Sequence, residues 1–257
     1  MIENEKLELG REFVSRNSAG HRILLVGITG SHYYGFPAPD SDLDLKGIHA
    51  VSLREVVGLS RPQAAINIEQ NWRGCLCDFT SNEIEQALRL LLKGNGNMLE
   101  RIFSPLQLFE TTELKQLQEL KSNYLSRRFY HHYRGFFQKK CEEYEKAGNF
   151  PIKPMLYIYR VALTGIHLLL TGEVVGDVNI TAAEHGFAEI SELVEIYAAT
   201  SEKSSLNEAS SGRFVARWPL LQEKLDQALE KSILPEVPPG EDLCSEWLIA
   251  LRLKSGF

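Results

Sequence analysis

Three of the chain's seven aspartates, Asp40, Asp42 and Asp44, fall within five residues of the segment PDSDLDLKGI. Residues i and i+2 of an extended strand share a face, so Asp42 and Asp44 project together while Leu43 and Leu45 enter a core. Two carboxylates side by side repel, and aspartate is a poor strand former, so the arrangement is costly unless positive charge sits between them. A divalent cation is the economical answer. Mg2+, or Mn2+ in its place, takes hard oxygen ligands, commonly one or two carboxylates together with substrate phosphates and water. Upstream, an apolar run ends in Gly30-Ser31. A glycine there lets the backbone approach a ligand closely, a short helix after it would turn N–H groups toward phosphate, and Ser31 adds a hydroxyl donor. His32 and Tyr34 lie beside this turn as candidates to line a nucleotide pocket. Asp78, in CLCDFT, is the candidate third carboxylate: it can ligate a second ion and accept the proton of an attacking hydroxyl, against the plainer reading of a helix-capping or edge aspartate. Asp40, in Pro39-Asp40-Ser41, has turn chemistry and is read as the residue leading into the strand.

The elements that must hold these groups are legible from periodicity. Residues 4–18 carry helical spacing, and residues 22–28 form a branched apolar run typical of a buried strand. Residues 43–51 are a second strand, and residues 65–70 and 74–80 are a third and fourth joined by the turn-like Asn71-Trp-Arg-Gly74. Asn82 with Glu85 predicts a capping box for a helix running to Lys93. Beyond Ser104-Pro105 long stretches at helical spacing follow, broken near residues 148–154, 172–177 and 235–240. Serine-rich residues 201–212 read as a mobile loop between helices. The expected organisation is α+β: a small mixed sheet with helices in residues 1–108, then a helical domain in residues 109–257. In the second part Lys153, Tyr157, Arg160, Thr164 and His167 share a helix side, read either as a solvated face or, if it borders the cleft, as a source of Lys153 or Arg160 for the outer phosphates. Phe129, Tyr133 and Phe136 are expected in the core, with the neighbouring charges facing water. Glu100 supports the site from a helix or is an ordinary exposed glutamate.

Composition narrows the classes. A hydrophobic share of 44% is ample for a core, and a net charge of −6 argues against broad electrostatic attachment to nucleic acid while leaving room for a local basic patch, so any RNA contact is regional. No run reaches the roughly 18 apolar residues of a membrane span, and the charged N-terminal stretch is unlike a secretory signal, so a cytoplasmic protein with no membrane partner is expected. Cys75, Cys77, Cys141 and Cys244 lack paired metal-ligand spacing and are expected as free thiols.

The order of apolar strand, Gly30-Ser31, Asp42-Leu43-Asp44 and a later isolated Asp78 resembles the DNA polymerase beta-like nucleotidyltransferase superfamily. More narrowly, GSHYYG at residues 30–35, DSDLD at 40–44, Gly47-Ile48, LLLKGN with NMLE at 90–100 and Phe103-Ser-Pro105 are similar to the predicted-nucleotidyltransferase branch associated with bacterial and phage RNA repair. KPMLYIYRVALTGIHLLLTGE at 153–173 resembles it more weakly, and Gly96 departs from it where proline would follow the asparagine. The resemblance implies a small mixed sheet with a helical C-terminal domain, an NTP substrate with two Mg2+ ions, and transfer of a nucleoside monophosphate as pyrophosphate leaves. It implies metal-binding roles for Asp42 and Asp44, completion of the site by Asp78, and triphosphate contacts for Gly30 and Ser31. An RNA end is the favoured acceptor; a protein hydroxyl or a small molecule suits the same metal site. The rival classes are a non-catalytic nucleotide-binding or toxin-neutralising module on the same fold, and a metal phosphoesterase. Oligomeric state is not encoded in any pattern here.

Overall fold

The computed structural model describes residues 4–18, 20–59 and 63–254. In chain order the elements are α1 (Asn4–Asn17), β1 (Arg22–Ile28), α2 (Gly30–Tyr34), β2 (Leu43–Ala50), α3 (Leu53–Val57), β3 (Ala65–Trp72), β4 (Cys75–Glu83), α4 (Ile84–Leu92), α5 (Gly96–Phe103), α6 (Thr112–Glu119) and α7 (Lys121–Tyr124). Helices alone follow: α8 (Phe129–Ala147), α9 (Ile152–Thr171), α10 (Val178–His185), α11 (Ile190–Ala198), α12 (Glu208–Val215), α13 (Trp218–Glu230) and α14 (Glu241–Lys254). The fold class is therefore α+β, as the sequence pattern predicts. The chain forms two compact units: residues 1–30, 42–125 and 238–257 make the first, and residues 31–41 and 126–237 the second.

In the first unit the described strands form one mixed sheet in the order β1-β2-β4-β3, with β1 and β3 antiparallel to their neighbours and β2 parallel to β4. The β3–β4 hairpin closes through Arg73 and Gly74, both at positive φ (51° and 84°), the backbone a two-residue hairpin turn requires. One sheet face carries Val26, Ile28, Leu43, Leu45, Cys77 and Phe79, buried against Phe13 and Val14 of α1. Farther along β2 and β4 the opposite face meets α5, where the Arg101 guanidinium donates to the Gly47 carbonyl at 3.0 Å and to the Asn82 side chain. From the far end of the chain α14 returns to this unit: buried Arg252 donates to the Val51 carbonyl at 2.7 Å and pairs with the Glu83 carboxylate.

One expectation about a helix start changes here. Strand β4 runs to Glu83, so Glu83 and not Asn82 caps α4, its carboxylate accepting the Glu85 N–H, while the Asn82 amide donates to Gln86 at 2.7 Å. Gly96 is the first residue of α5, a position where proline is common, and the Asn95 side chain caps that helix on the Met98 N–H. Glu100, on α5, is 2% exposed rather than a surface glutamate.

The second unit is built around α9. Among the described residues it is the helix long and apolar enough to cross a membrane, which corrects the expectation that no segment reaches that length; most of it is buried within the protein. Surrounded by α8, α10, α11 and α13, it buries the side read as solvated: Arg160, Thr164 and His167 are 5%, 0% and 8% exposed. On α8 the buried stripe is Phe129, Tyr133, Phe137 and Tyr144, and Phe136 faces outward, one residue out of phase with the expectation. The serine-rich stretch is not one loop: Asn207 caps α12, accepting the Ser210 N–H, and Phe214 anchors that helix in the core.

Candidate active site

The period of two in β2 places Leu43 and Leu45 in the core and Asp44 and Lys46 together on the other face, each half-buried; Asp42, half-buried as well, immediately precedes the strand. Parallel pairing of β2 with β4 sets Asp44 directly opposite Asp78, and Lys46 opposite Thr80. Register partners on adjacent strands point to the same side, so Asp44 and Asp78 stand next to each other on one face. The Lys46 ammonium lies between them, donating to the Asp78 carboxylate at 2.5 Å and standing 3.7 Å from that of Asp44. Thr80 contributes a longer hydroxyl contact to Asp78, at 3.4 Å.

Gly30 closes this arrangement on the β1 side. The Thr29 N–H donates to the Asp44 carbonyl at 2.9 Å, holding the end of β1 against β2. The next residue turns the chain into α2 at a φ of +62°, and a Cβ built on Gly30 would stand 1.8 Å from Asp44 Oδ2. Only a residue without a side chain allows that approach, so the glycine bend and the second aspartate of the pair are in contact. The cluster is thus a carboxylate pair, a lysine ammonium and a glycine backbone at one end of the sheet. Chemically, it can hold a cation between hard oxygen donors beside a bend free of side chains.

The structure brings Gly30, Asp44 and Asp78 together, with Asp42 two residues ahead of Asp44, all in the first unit. Ser31, His32, Tyr34, Lys153 and Arg160 belong to the second. There Ser31 is buried, and its carbonyl accepts the Phe36 N–H at 3.1 Å. The Arg160 guanidinium lies 3.8 Å from the centroid of the Tyr34 ring, a buried cation–π pair, with Tyr157 packed edge-on to Tyr34. Lys153 pairs with Glu202 at 2.6 Å, and the same carboxylate accepts the Ser41 hydroxyl at 3.1 Å. Lys153 and Glu202 line a cavity of about 410 Å3 with Lys140, Tyr144 and Tyr157. Asp40, read as a turn residue, receives the Glu202 N–H at 3.0 Å. Lys46 is the residue that spacing reasoning passed over; its signal was present, because it continues the alternation of Asp42 and Asp44 by one further step of two.

An uncharacterized protein of Methanocaldococcus jannaschii, MJ0002, is 34% identical over 161 residues, 60% of this chain and 63% of that protein. A second, YcgL of Bacillus subtilis strain 168, is 26% identical over 148 residues, 57% of this chain and 56% of its own length. The chain therefore matches less than two thirds of the length of either relative. Among solved structures, a nucleotidyltransferase-like protein from Exiguobacterium sibiricum 255-15 aligns over 98% of this chain and 81% of its own, at 13% identity and a TM-score of 0.33. The model of the RNA repair pathway DNA polymerase beta family (RlaP) matches residues 6–249, nearly the whole sequence, and the chain belongs to that family.

Proposed function

We propose that the chain transfers a nucleoside monophosphate from a nucleoside triphosphate to a hydroxyl acceptor, with pyrophosphate leaving, and that an RNA end is the acceptor. One observation carries this: Asp44 and Asp78 are register partners with a cation between them and the bare backbone of Gly30 against Asp44. The donor set suits Mg2+ or Mn2+, since Asp42, Asp44 and Asp78 offer only hard carboxylate oxygens. The Lys46 ammonium marks the place where this cluster takes positive charge. When bound there, divalent ions would neutralise the triphosphate and lower the pKa of the attacking hydroxyl.

The remaining work falls to the chain itself. Strands β2 and β4 fix the backbone under Asp44 and Asp78 by their register, which lowers the ordering cost at the moment of reaction. Gly30, and Ser31 after it in the chain, are assigned to the triphosphate, where a side chain at residue 30 would fill the space. Asp78 is the more exposed of the register pair, 39% against 31% for the side chain, and we assign it the acceptor's proton. Lys46 orients Asp78 through their 2.5 Å contact. For His32, Tyr34, Lys153 and Arg160 the assignment is nucleotide binding; Lys153 would exchange its Glu202 partner for phosphate.

The same lysine favours a second reading, a non-catalytic nucleotide-binding or toxin-neutralising module in which Lys46 is the permanent counter-ion. Each labelled NTP, with Mg2+ or Mn2+, is offered to pooled RNA, protein and small-molecule acceptors, and both label transfer and pyrophosphate are measured. Transfer to RNA that falls to background in Asp44→Asn supports the enzyme. NTP binding without pyrophosphate release supports the module, and full activity of Asp44→Asn rejects the site.

A further inference from the structure

Within the second unit a different set of donors converges. His167 projects from the C-terminal part of α9, and Glu184 and His185 end α10; one ligand atom from each lies within 4.8 Å of the other two. His167 Nδ1 is 3.0 Å from Glu184 Oε2, yet this buried nitrogen lacks an aligned hydrogen bond. Buried His185 Nε2 has no hydrogen-bond partner among the described residues. The two rings sit edge to face at 5.6 Å between centroids. Two buried imidazole nitrogens without proper partners cost free energy unless something accepts their lone pairs. Both nitrogens face the space beside the Glu184 carboxylate, within 4.8 Å of it.

We propose that His167, Glu184 and His185 bind a transition-metal ion of the Zn2+ class, independently of the aspartate cluster. Imidazole and carboxylate together suit Zn2+ or Co2+, whereas Mg2+ prefers oxygen alone. Tetrahedral ligation at roughly 2.0–2.2 Å places donors about 3.4 Å apart. Metal binding would draw the donors from their present spread of up to 4.8 Å toward that value, Glu184, half exposed, moving most easily. Three protein ligands leave a fourth position for water or another ligand. Bound metal would tie the C-terminal end of α10 to α9, the central helix of its unit. Burial of His167, 8% exposed, shields one side of the ion, and Glu184 leaves the other open to solvent.

The test uses the full chain stripped of metal and titrated with Co2+, whose visible d–d spectrum reports coordination number and ligand type, and with Zn2+ by calorimetry. One Co2+ per chain with a tetrahedral or five-coordinate spectrum and no thiolate charge-transfer band is expected, apart from any weakly absorbing octahedral Co2+ held by the aspartate cluster. The spectrum should disappear in His185→Gln and weaken in Glu184→Gln. Glu184 is exposed, so the second variant keeps the protein folded even if the first does not. Asp44→Asn should bind Co2+ at this site as the parent does, so failure of the proposed transferase would leave this result intact. No stoichiometric spectrum, or a spectrum unchanged by Glu184→Gln and His185→Gln, would overturn the site and leave a plain histidine–glutamate contact.

Discussion

Replacing Lys46 with methionine keeps most of the side-chain volume and removes the ammonium between Asp44 and Asp78. Neighbouring strands run about 4.8 Å apart, so the two carboxylates then face each other across about 5 Å. Their repulsion is about 0.8 kcal/mol if water screens it fully and about 3 kcal/mol at an effective dielectric of 20. Half-burial places the site between these limits. Without divalent ions, Lys46→Met should therefore cost about 1–3 kcal/mol, and for a chain of this size each kcal/mol lowers Tm by roughly 2–4 °C. Mg2+ or Mn2+ should restore much of that loss, because the ion no longer competes with an ammonium for the same oxygens. The assay is thermal melting monitored by circular dichroism, with EDTA and across a divalent-ion titration, for both proteins. A variant that melts with the parent in EDTA, and shifts no more than the parent when Mg2+ or Mn2+ is added, would refute the idea that charge compensation makes this carboxylate pair tolerable.

Two further predictions address the bend and the sheet interior. Gly30→Ala must either keep a φ of +62°, at roughly 1–2 kcal/mol for a residue with a Cβ, and push the Asp44 carboxylate out of a 1.8 Å clash, or give up the bend altogether. Displacing a positioned group by about 1 Å costs on the order of 100-fold in rate, so NTP-dependent transfer should fall about that far, and an unimpaired rate would separate Gly30 from the chemistry. His49, fully buried with its Nδ1 3.0 Å from the Ser81 hydroxyl, has its pKa lowered to about 4 by burial and then by the nearby His21 and Arg252. Its unfolded value is about 6.5, so on acidification the unfolded chain takes up a proton before the folded one does, and stability falls as pH drops from 6.5 toward 4. The loss at the acid end is about 3 kcal/mol; urea unfolding of the parent and His49→Gln across this range should show the parent's steeper slope, and parallel slopes would count against it.

Much of the fold was legible because the patterns concerned were local. Strand β1 and the β3–β4 hairpin follow from branched apolar runs and turn residues, and the helices of the second half from helical spacing. The errors arise mostly where contacts distant in sequence override a local signal. Asn82 has the better capping side chain, but pairing with β2 extends β4 to Glu83, and the cap moves with the strand end. The segment before α12 has Leu206 as its one apolar residue, too little to show a period, so the helix is marked chiefly by Asn207 at its start and the buried Phe214 near its end. On α9 polar residues spaced along one side suggested water, yet a central helix is covered all round and the polarity of Arg160 is met by the Tyr34 ring.

For the candidate site the division is sharper. The order of residues alone determines that Asp44 and Lys46 share a face opposite Leu43 and Leu45, because alternation is built into the covalent geometry of a strand. It also determines that a bend free of a side chain follows β1. Which strand lies beside β2, and in what register, depends on pairing between segments distant in sequence, and no short-range rule fixes it. Tertiary structure alone therefore put Asp78 against Asp44, seated the Lys46 ammonium between them, and pressed the Gly30 backbone onto the same carboxylate.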